Sequence, residues 1–306
     1  MPAEKIPALG WENCLKLSNE HAELVITLDV GPRILSYQAT GGANVLRANP
    51  DQLGTSAEER FIERGGHRFW VAPETDRTYA ADNAPVKFQI TGPNSVRLEN
   101  VPTAPWHMRK EMTVSLAADS TSVVIEHRAT NDSDQPVSLA SWGLTIMAPG
   151  GVEIIPQPPL GEHGKEFLPN RVMVPWTYTD LSDPRWKLGR RFITLRPKPG
   201  TPPTKIGLSH RERWAGYILP HAFFVKTIDY QDGALYPDLG CNFETFSKGD
   251  FIELEALSPL KNLTRGDSIG HTETWHLFPI SEAPATEDEA ALEKWLAPYL
   301  SKVGLL

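Results

Sequence analysis

The chain is built from many short runs rich in Val, Ile, Thr, Phe and Tyr, each ended by turn residues. Two of these runs, 108–116 and 121–130, alternate apolar with polar residues on either side of the turn AADS, which is typical of half-buried antiparallel strands. Roughly fifteen such strands are predicted, with no long helical pattern between them. The segment 137–149 is too apolar for an edge strand and is predicted to be central. The pattern predicts an all-β fold of antiparallel sheets packed face to face, or a barrel.

One helix is predicted at 286–300, near the end of the chain. Thr286 followed by Glu289 forms a capping box. The apolar residues behind it fall on one helical face: Leu292, Trp295, Leu296, Tyr299 and Leu300. We expect this helix to close one end of the sandwich. The proline-rich stretches at 156–159 and 197–203 are too short to require a domain boundary, so residues 1–306 are predicted to form a single domain.

Composition argues against several classes of protein. No apolar run approaches the length that crosses a bilayer, and the first residues lack the apolar core of a signal peptide, so a cytoplasmic location is expected. Cys14 and Cys241 lie far apart, which argues against a disulfide scaffold or a zinc cluster. The net charge is −8 and the basic residues are scattered, so we expect no nucleic-acid partner.

The common catalytic motifs are missing from the sequence. There is no GxGxxG, GxxxxGK[ST], GxSxG or HExxH, and the nine histidines form no i, i+4 pair. We therefore expect no cofactor and no catalytic metal. A structural cation held by loop carboxylates remains open, because such sites leave weak sequence signatures. The sequence also leaves the oligomeric state open.

A first candidate site is the segment ERGGHRFWVAPE at 63–74. Its two adjacent glycines allow a sharp turn or a close approach of the backbone to a ligand. The residues around them combine charge, a proton carrier and an aromatic surface: Arg64, His67, Arg68, Trp70 and Glu74. Sugars require this mixture of aromatic faces and polar groups. The alternative is a loop whose Trp packs in the core while its Arg and Glu residues pair on the surface.

A second candidate site is NFETFSKGDFIELEAL at 242–257. Strand alternation puts apolar residues on one face and two carboxylates on the other, with Ile252, Leu254 and Ala256 opposite Glu253 and Glu255. Phe251 and Leu257 share the face of the glutamates, so that face is not simply a solvent face. Glu244, across the turn SKGD, would bring a third carboxylate to it. A carboxylate beside apolar groups has a raised pKa, which suits a general base. The alternative is a strand with one face in water.

Two further candidates lie inside apolar strands. Trp142, in LASWGLTIM, is either a core residue or a platform for a sugar ring. Lys226, in FFVKTIDY, either extends to the rim of the sheet or contacts a hydroxyl group or an anion.

Several of these segments, in order over roughly residues 10–280, resemble the galactose mutarotase-like superfamily, the aldose 1-epimerases and their relatives. LVITLDVGPRILSYQATGGANVL is similar to the opening strand pair of the family. ERGGHRFW is similar to the Arg-Gly-Gly segment of its hexose-6-phosphate epimerase branch. FIELEALSPLKNLTRGDSIGHTETWHLF is similar to the terminal segment in which a Leu-Glu pair supplies the general base. GGHRFWVAP and YPDLGCNFE resemble the signatures of one bacterial branch. The resemblance implies an antiparallel β-supersandwich.

The resemblance also implies an activity and a set of site residues. Glu255 falls at the position of the base, which removes the proton of the anomeric hydroxyl while an acid protonates the ring oxygen. The ring of a free aldose or a sugar acid opens, the aldehyde rotates, and closure gives the other anomer without a cofactor. Ser141-Trp142 stands where the family has its catalytic His, and the usual Asn-Arg pair is missing, so His67 is the acid favoured by local chemistry. The expected site then consists of Glu255, His67 and a second carboxylate, Glu244, with Arg68, Trp70, Glu74, Trp142 and Lys226 around the sugar.

Two other functions compete with this isomerase hypothesis. The first is a sugar-binding protein of the same fold without catalysis, which the missing His favours. The group of acidic residues favours the enzyme, since binding of a neutral sugar rarely needs several carboxylates. The second is a lyase or hydrolase of uronate-containing glycans, against which the absence of a secretion signal counts. The expected partner in each case is a carbohydrate.

Overall fold

The computed structural model describes residues 3–102 and 107–306, and this part of the chain forms twenty-one strands and one α-helix. The strands of the first half are β1 (Glu4–Ala8), β2 (Trp11–Ser18), β3 (Ala22–Thr27), β4 (Arg33–Ala39), β5 (His67–Ala72), β6 (Lys87–Gly92), β7 (Ser95–Glu99), β8 (Met108–Leu116), β9 (Val123–Asn131), β10 (Val137–Met147) and β11 (Val152–Pro156). Those of the second half are β12 (Met173–Pro175), β13 (Trp186–Leu188), β14 (Phe192–Leu195), β15 (Thr204–Leu208), β16 (Trp214–Ile218), β17 (Ala222–Thr227), β18 (Phe243–Lys248), β19 (Phe251–Leu257), β20 (Lys261–Leu263) and β21 (Ser268–Pro279).

The strands form two antiparallel sheets that pack face to face. The larger sheet has the order β1-β2-β3-β4-β5-β10-β19-β18-β15-β12, and β20 also pairs with β10. The smaller sheet has the order β13-β14-β11-β16-β17-β21-β9-β8-β7-β6. The main apolar core lies between them, with Phe69 and Leu254 from the larger sheet and Met112, Ile125 and Trp275 from the smaller one. The predicted antiparallel β-supersandwich is confirmed.

The position of β10 agrees with the prediction from the sequence, and the number of strands does not. The segment 137–149 was predicted to be central, and β10 does lie between β5 and β19. The predicted number of strands was too low. The additional strands include β12, β13 and β20, which have three residues each and are too short to show an alternating pattern.

The helix α1 (Glu289–Lys302) starts later than predicted. Its N-cap is Asp288, whose carboxylate accepts two hydrogen bonds from backbone N–H groups of the first turn. The carboxylate of Glu289 instead accepts three hydrogen bonds from the backbone of residues 190–192, at the start of β14. Glu289 is therefore not available for the capping box that Thr286 suggested.

The position of this helix also differs from the prediction. Leu292, Leu296 and Leu300 pack against Trp214 and Phe223 on the outer face of the smaller sheet. The helix thus covers a sheet face instead of closing an end of the sandwich, because that outer face is itself apolar and has to be buried. In the described part of the chain, no helix combines the length and the apolar character needed to cross a membrane.

Candidate functional site

The candidate site lies on the face of the larger sheet that points away from the smaller sheet. In β19, Leu254 belongs to the core between the sheets, while Glu253 and Glu255 line a cavity on the opposite face. The register pairs Glu255 with Glu244 of β18, so the third carboxylate reaches the same face. The alternation that the sequence predicted for this strand is therefore confirmed.

The cavity has a volume of about 710 Å³, which is within the range of small-molecule sites. It lies over the adjacent strands β5, β10, β19, β18 and β15, and loop residues line its rim. Its walls combine aromatic rings with charged groups of both signs, among them Phe61, Trp70, Tyr79, Trp142, Tyr178, Arg47, Arg68, Lys205, Glu63, Glu74, Glu253 and Glu255. Aromatic rings with convergent polar groups are suited to a polyhydroxylated ring.

Glu255 is held in place by two hydrogen-bond donors. Its Oε2 accepts hydrogen bonds of 2.9 Å from the indole Nε1 of Trp142 and from the ammonium group of Lys205. The same ammonium group lies 2.7 Å from Oε2 of Glu244. Lys205 also lies over the rings of Trp142 and Trp176, 4.8 and 4.7 Å from their centroids. One cation thus joins two buried carboxylates.

The charges of this group do not balance. If both carboxylates are ionised, Glu244, Lys205 and Glu255 together carry one negative charge in a site with almost no solvent exposure. Burial alone would lower the pKa of Lys205, but the two carboxylates outweigh it and raise that pKa. Burial raises the pKa of Glu244 well above its usual range, although Lys205 acts in the opposite direction. The raised pKa favours a proton on Glu244 over a second negative charge in this group.

A second ion pair lies beside this group. Oε1 of Glu253 is 2.8 Å from Nη2 of Arg68, and the guanidinium group lies 4.3 Å from the ring centroid of Trp70. Burial raises the pKa of Glu253 to about 7, and Arg68 opposes that rise. A carboxyl group with this pKa holds a proton about half of the time near neutral pH. It can therefore donate a proton as well as accept one.

Some polar atoms around the cavity have no partner. Nε and Nη1 of Arg68, Oε1 of Glu244 and Oε1 of Glu255 are buried and have no hydrogen-bond partner within the described part of the protein. Buried polar atoms without partners cost free energy, so they mark places where a ligand or water completes the site. Two donors and two acceptors beside aromatic rings correspond to what the hydroxyl groups of a sugar need.

The structure brings six of the eight residues predicted from the sequence to this region. Arg68, Trp70, Glu74, Trp142 and Glu255 line the cavity. The carboxylate of Glu74, which is exposed, accepts a hydrogen bond from the hydroxyl group of Tyr79. Glu244 lines an adjacent smaller cavity that shares Trp142 with the main one.

The position of His67 corrects one prediction. Because Arg68 faces the cavity, its neighbour His67 points to the other side of β5, between the sheets. Its ring nitrogens lie 2.9 Å from Oγ1 of Thr145 and 2.8 Å from Nε2 of His127. Burial lowers the pKa of His67 to about 3, so that it stays neutral. It does not line the cavity and is not placed to be the acid of a reaction there.

The position of Lys226 corrects another prediction. This lysine neither extends to the sheet rim nor faces a ligand. It is fully buried between the sheets, where its ammonium group lies 3.0 Å from Oε1 of Glu273 and donates a hydrogen bond to the backbone oxygen of Leu254. Lys226 is therefore a partner of Glu273 and not a pocket residue.

Two important residues of the cavity were missed or misjudged in the sequence. Lys205 is the cation that orients Glu255, and the carboxylate of Glu253 lines the cavity although Glu253 is not part of the expected site. Lys205 lies in the short apolar strand β15, TKIGL, and a lysine inside an apolar strand was the same signal that drew attention to Lys226. An apolar strand sequence around a lysine does not indicate on which side of the sheet the ammonium group finds its partner.

The glycine pair before β5 is required by the backbone conformation and by close contacts with neighbouring backbone. Gly65 and Gly66 both have positive φ angles, +87° and +74°. A Cβ atom on Gly66 would collide with the backbone oxygen of Ile34, and one on Gly65 with that of Arg47. The close approach that the glycines allow is therefore to neighbouring backbone, and it sets the start of the strand that carries Arg68 and Trp70.

We expect Gly66→Ala to destabilise the protein. The backbone conformation alone costs an alanine about 1–2 kcal/mol, and the collision with Ile34 adds to that cost. Urea denaturation of the variant and of Gly41→Ala would measure the difference. Gly41 also has a positive φ angle, +73°, but open space around it, so it reports the conformational cost without the collision. Equal losses in both variants would contradict the role of the close contact.

One group of side chains between the sheets has ligand atoms close enough to hold a metal ion. His67, His127 and Glu273 offer ligand atoms within 4.8 Å of one another. However, Oε1 of Glu273 is paired with Lys226, and its Oε2 accepts a hydrogen bond of 2.9 Å from Trp275. An ammonium group beside the carboxylate opposes a second cation there. We therefore interpret this group as a buried hydrogen-bonded network.

Comparisons with known proteins concern the fold. No protein-family model and no curated protein sequence matches the chain. A galactose mutarotase-like protein from Lactobacillus casei has a similar structure, with a TM-score of 0.57 and 13% identity over 87% of this chain and 100% of that one. A galactose mutarotase related enzyme from Lactobacillus acidophilus has a TM-score of 0.51 and 9% identity over 87% and 97%.

A TPR-domain containing protein from Parabacteroides distasonis is similar as well. Its TM-score is 0.58 at 15% identity, over 90% of this chain but only 48% of that longer chain. The chain thus spans about half of this protein and nearly all of the two lactobacillus proteins. At these identities the likeness concerns the fold and not the reaction. The protein has the galactose mutarotase-like fold, a supersandwich of two antiparallel β-sheets.

Proposed function

We propose that the protein is a sugar isomerase of the aldose 1-epimerase type, which interconverts the anomers of a free aldose. The observation that carries this proposal is the state of Glu255. One of its oxygens is fixed by Trp142 and Lys205, and the other has no partner within the described part of the protein, in a cavity lined by aromatic rings. A base that is oriented through one oxygen and available through the other is suited to remove a hydroxyl proton.

In the proposed reaction, Glu255 takes the proton of the anomeric hydroxyl group. The electron pair left on that oxygen forms the aldehyde, the bond between C1 and the ring oxygen breaks, and the ring oxygen receives a proton from an acid. Rotation about the C1–C2 bond and the reverse steps close the ring as the other anomer. Protons and electrons balance without a cofactor.

Glu253 is the acid that we propose in place of His67. It lies two residues from Glu255 on the same face of β19, and its carboxyl group lines the cavity. Burial raises its pKa to about 7, so that it is partly protonated at neutral pH. Arg68, 2.8 Å away, stabilises the carboxylate that remains when the proton leaves.

The activity is tested by following the interconversion of the anomers of D-glucose, D-galactose and other aldoses by polarimetry and proton NMR. We expect a rate acceleration for at least one aldose. Binding of an aldose without acceleration of any of them would instead support the second candidate, a sugar-binding protein. The pairing of Glu255 with Lys205 and Trp142 favours that candidate, because a carboxylate fixed in this way also serves as an acceptor for a sugar hydroxyl group without any proton transfer.

The assignment of Glu253 predicts a pH dependence. Since the acid has to be protonated, we expect the rate to fall as the pH rises above the pKa of about 7. Glu253→Gln, which cannot release a proton, is expected to lower the rate about 10²-fold or more and to remove that decline. Rate measurements between pH 5 and pH 9 on both proteins would test this. A decline that persists in Glu253→Gln would show that another group is the acid.

A further inference from the structure

A second, smaller cavity adjoins the main one. Its volume is about 370 Å³, and it shares Glu74, Tyr79 and Trp142 with the main cavity, so that the two are neighbours. Trp176, Asp238 and Glu244 complete its walls, together with Asp76 and Thr75. We call this cavity the acidic chamber. It adjoins the place where Glu255 would act on a sugar.

The charge of the acidic chamber differs from that of the main cavity. Four carboxylates line it, on Glu74, Asp76, Asp238 and Glu244, and none of the described residues that line it is basic. The main cavity contains Arg47, Arg68, Lys205 and Lys248 beside its acids. The ammonium group of Lys205, which contacts Glu244, Trp142 and Trp176, compensates one of these charges. A group that enters the chamber still meets a negative potential, which attracts a cation and repels a carboxylate or a phosphate.

Glu244 gives the chamber a specific binding group. Its side chain is 1% exposed, Oε2 is paired with Lys205, and Oε1 has no hydrogen-bond partner within the described residues. With Glu255 it shares a single cation, so the group of three lacks one positive charge. Burial raises the pKa of Glu244, which favours a proton there when no cation is bound. A cationic group beside Oε1 would replace this proton and complete the pairing.

The chamber is better suited to an organic cation than to a metal ion. Within the described residues, no three of its carboxylates come close enough together to hold a metal ion; the one group of three that does is His67, His127 and Glu273, between the sheets. Trp142 and Trp176, whose rings already face the ammonium group of Lys205, form two of the chamber walls. Indole rings beside carboxylates form a favourable environment for an ammonium group.

We propose that the preferred substrates are sugars that carry an ammonium group, and that this group binds to Glu244 in the acidic chamber while Glu255 acts on the anomeric centre. The inference rests on the isomerase function proposed above. It assigns the two cavities to two parts of one ligand: the main cavity to the sugar ring and the chamber to the ammonium substituent. It also predicts that sugars with a carboxylate or phosphate group at that position are excluded.

The experiment compares D-glucosamine with D-glucose and N-acetyl-D-glucosamine by isothermal titration calorimetry at pH 7. We expect D-glucosamine to bind about tenfold tighter or more, because only it supplies a charge-assisted bond to Glu244. Its binding should also release a proton, which is detected as a dependence of the heat on the ionisation enthalpy of the buffer. D-glucose should release none.

Glu244→Gln is expected to reduce the preference for D-glucosamine at least tenfold and to abolish the proton release. Removing one of two carboxylates leaves Lys205 and Glu255 as a neutral pair, so the variant should fold. Asp238→Asn, on a half-buried loop, offers a second test in which a smaller loss of preference is expected.

The outcomes separate this inference from the proposed activity. Equal binding of the three sugars, with normal interconversion of an aldose, would overturn the ammonium site alone. Selective, proton-coupled binding of D-glucosamine without interconversion of any sugar would support the site and overturn the isomerase activity. Binding of calcium chloride that Glu244→Gln abolishes, without binding of D-glucosamine, would show a metal site and overturn the inference.

Discussion

Replacement of Glu255 by glutamine is expected to lower the rate of anomer interconversion by about 10²- to 10⁴-fold, the usual contribution of a general base. The amide keeps the size of the side chain but cannot take a proton from the anomeric hydroxyl group. The loss should appear mainly in kcat, since an amide oxygen still accepts hydrogen bonds from Trp142 and Lys205. Progress curves at several concentrations of an accepted aldose would measure it.

The fold should tolerate this replacement for an electrostatic reason. In the wild-type protein Lys205 faces two carboxylates, and the variant leaves one ammonium group and one carboxylate, Glu244, in contact. Without Glu255, whose charge opposes the ionisation of Glu244, the carboxylate of Glu244 can pair with Lys205, so no uncompensated ion remains. Glu255→Gln is therefore expected to unfold at a urea concentration close to that of the wild type, and its loss of rate can be assigned to chemistry.

A matched control replaces a buried carboxyl group outside the cavity. Glu153 lies between the sheets, accepts a hydrogen bond of 2.7 Å from Thr245, and has a pKa raised well above its usual range by burial. Because burial favours the neutral form of this carboxyl group, a neutral amide is a close replacement, and Glu153→Gln should leave the rate within about threefold of the wild type. If Glu255→Gln kept its activity while Glu244→Gln lost it, the reaction would stand but Glu244 would be the base.

The fold could be predicted from the sequence because the alternation of apolar and polar residues is visible within each single strand. Alternation along strands such as β8 and β9 depends only on which side chains face the core, and it predicted antiparallel sheets correctly. The same rule placed Glu253 and Glu255 on one face of β19 and Leu254 on the other. The resemblance of several segments, in order along the chain, to the mutarotase-like family then predicted the specific β-supersandwich.

The composition of the site was only partly predictable, because alternation does not say which of two faces lines the cavity. His67 and Arg68 are adjacent in β5, and both were assigned to the site, although two neighbours in a strand cannot face the same side. Lys226 and Lys205 are both lysines in apolar strands, yet one pairs with Glu273 between the sheets and the other with Glu255 at the cavity. Which partner each one finds depends on pairing between strands that are distant in sequence.

Lys226 gives the second large effect that we expect, on stability. Its ammonium group and the carboxylate of Glu273 are both fully buried and lie 3.0 Å apart. Lys226→Met removes the cation and leaves the buried carboxylate, within the described part of the chain, with hydrogen bonds from the neutral groups of Trp275 and His271. Loss of one partner of a buried ion pair costs about 3–5 kcal/mol. Urea denaturation at pH 7 would measure this loss as a lower midpoint.

The pH dependence of that loss identifies its cause. Burial alone would raise the pKa of Glu273, and Lys226 is the main group that holds it well below its usual range. Without Lys226 the pKa of Glu273 rises, so a proton can neutralise the carboxylate in the folded variant as the pH falls. We therefore expect the difference in free energy of unfolding between the wild type and Lys226→Met to be largest at pH 7 and smaller at pH 5.

The double variant Lys226→Met, Glu273→Gln completes the test. It removes both charges, and we expect it to recover most of the stability lost in Lys226→Met, because replacing a buried ion pair by neutral groups is often nearly neutral in stability. If Lys226 instead bound the substrate, the single variant would raise the KM for an accepted aldose and leave the urea midpoint unchanged. A large loss of stability that the double variant recovers would show that Lys226 acts in the interior of the sandwich. The cations that act at the cavity are then Arg68 and Lys205, each paired with carboxylates.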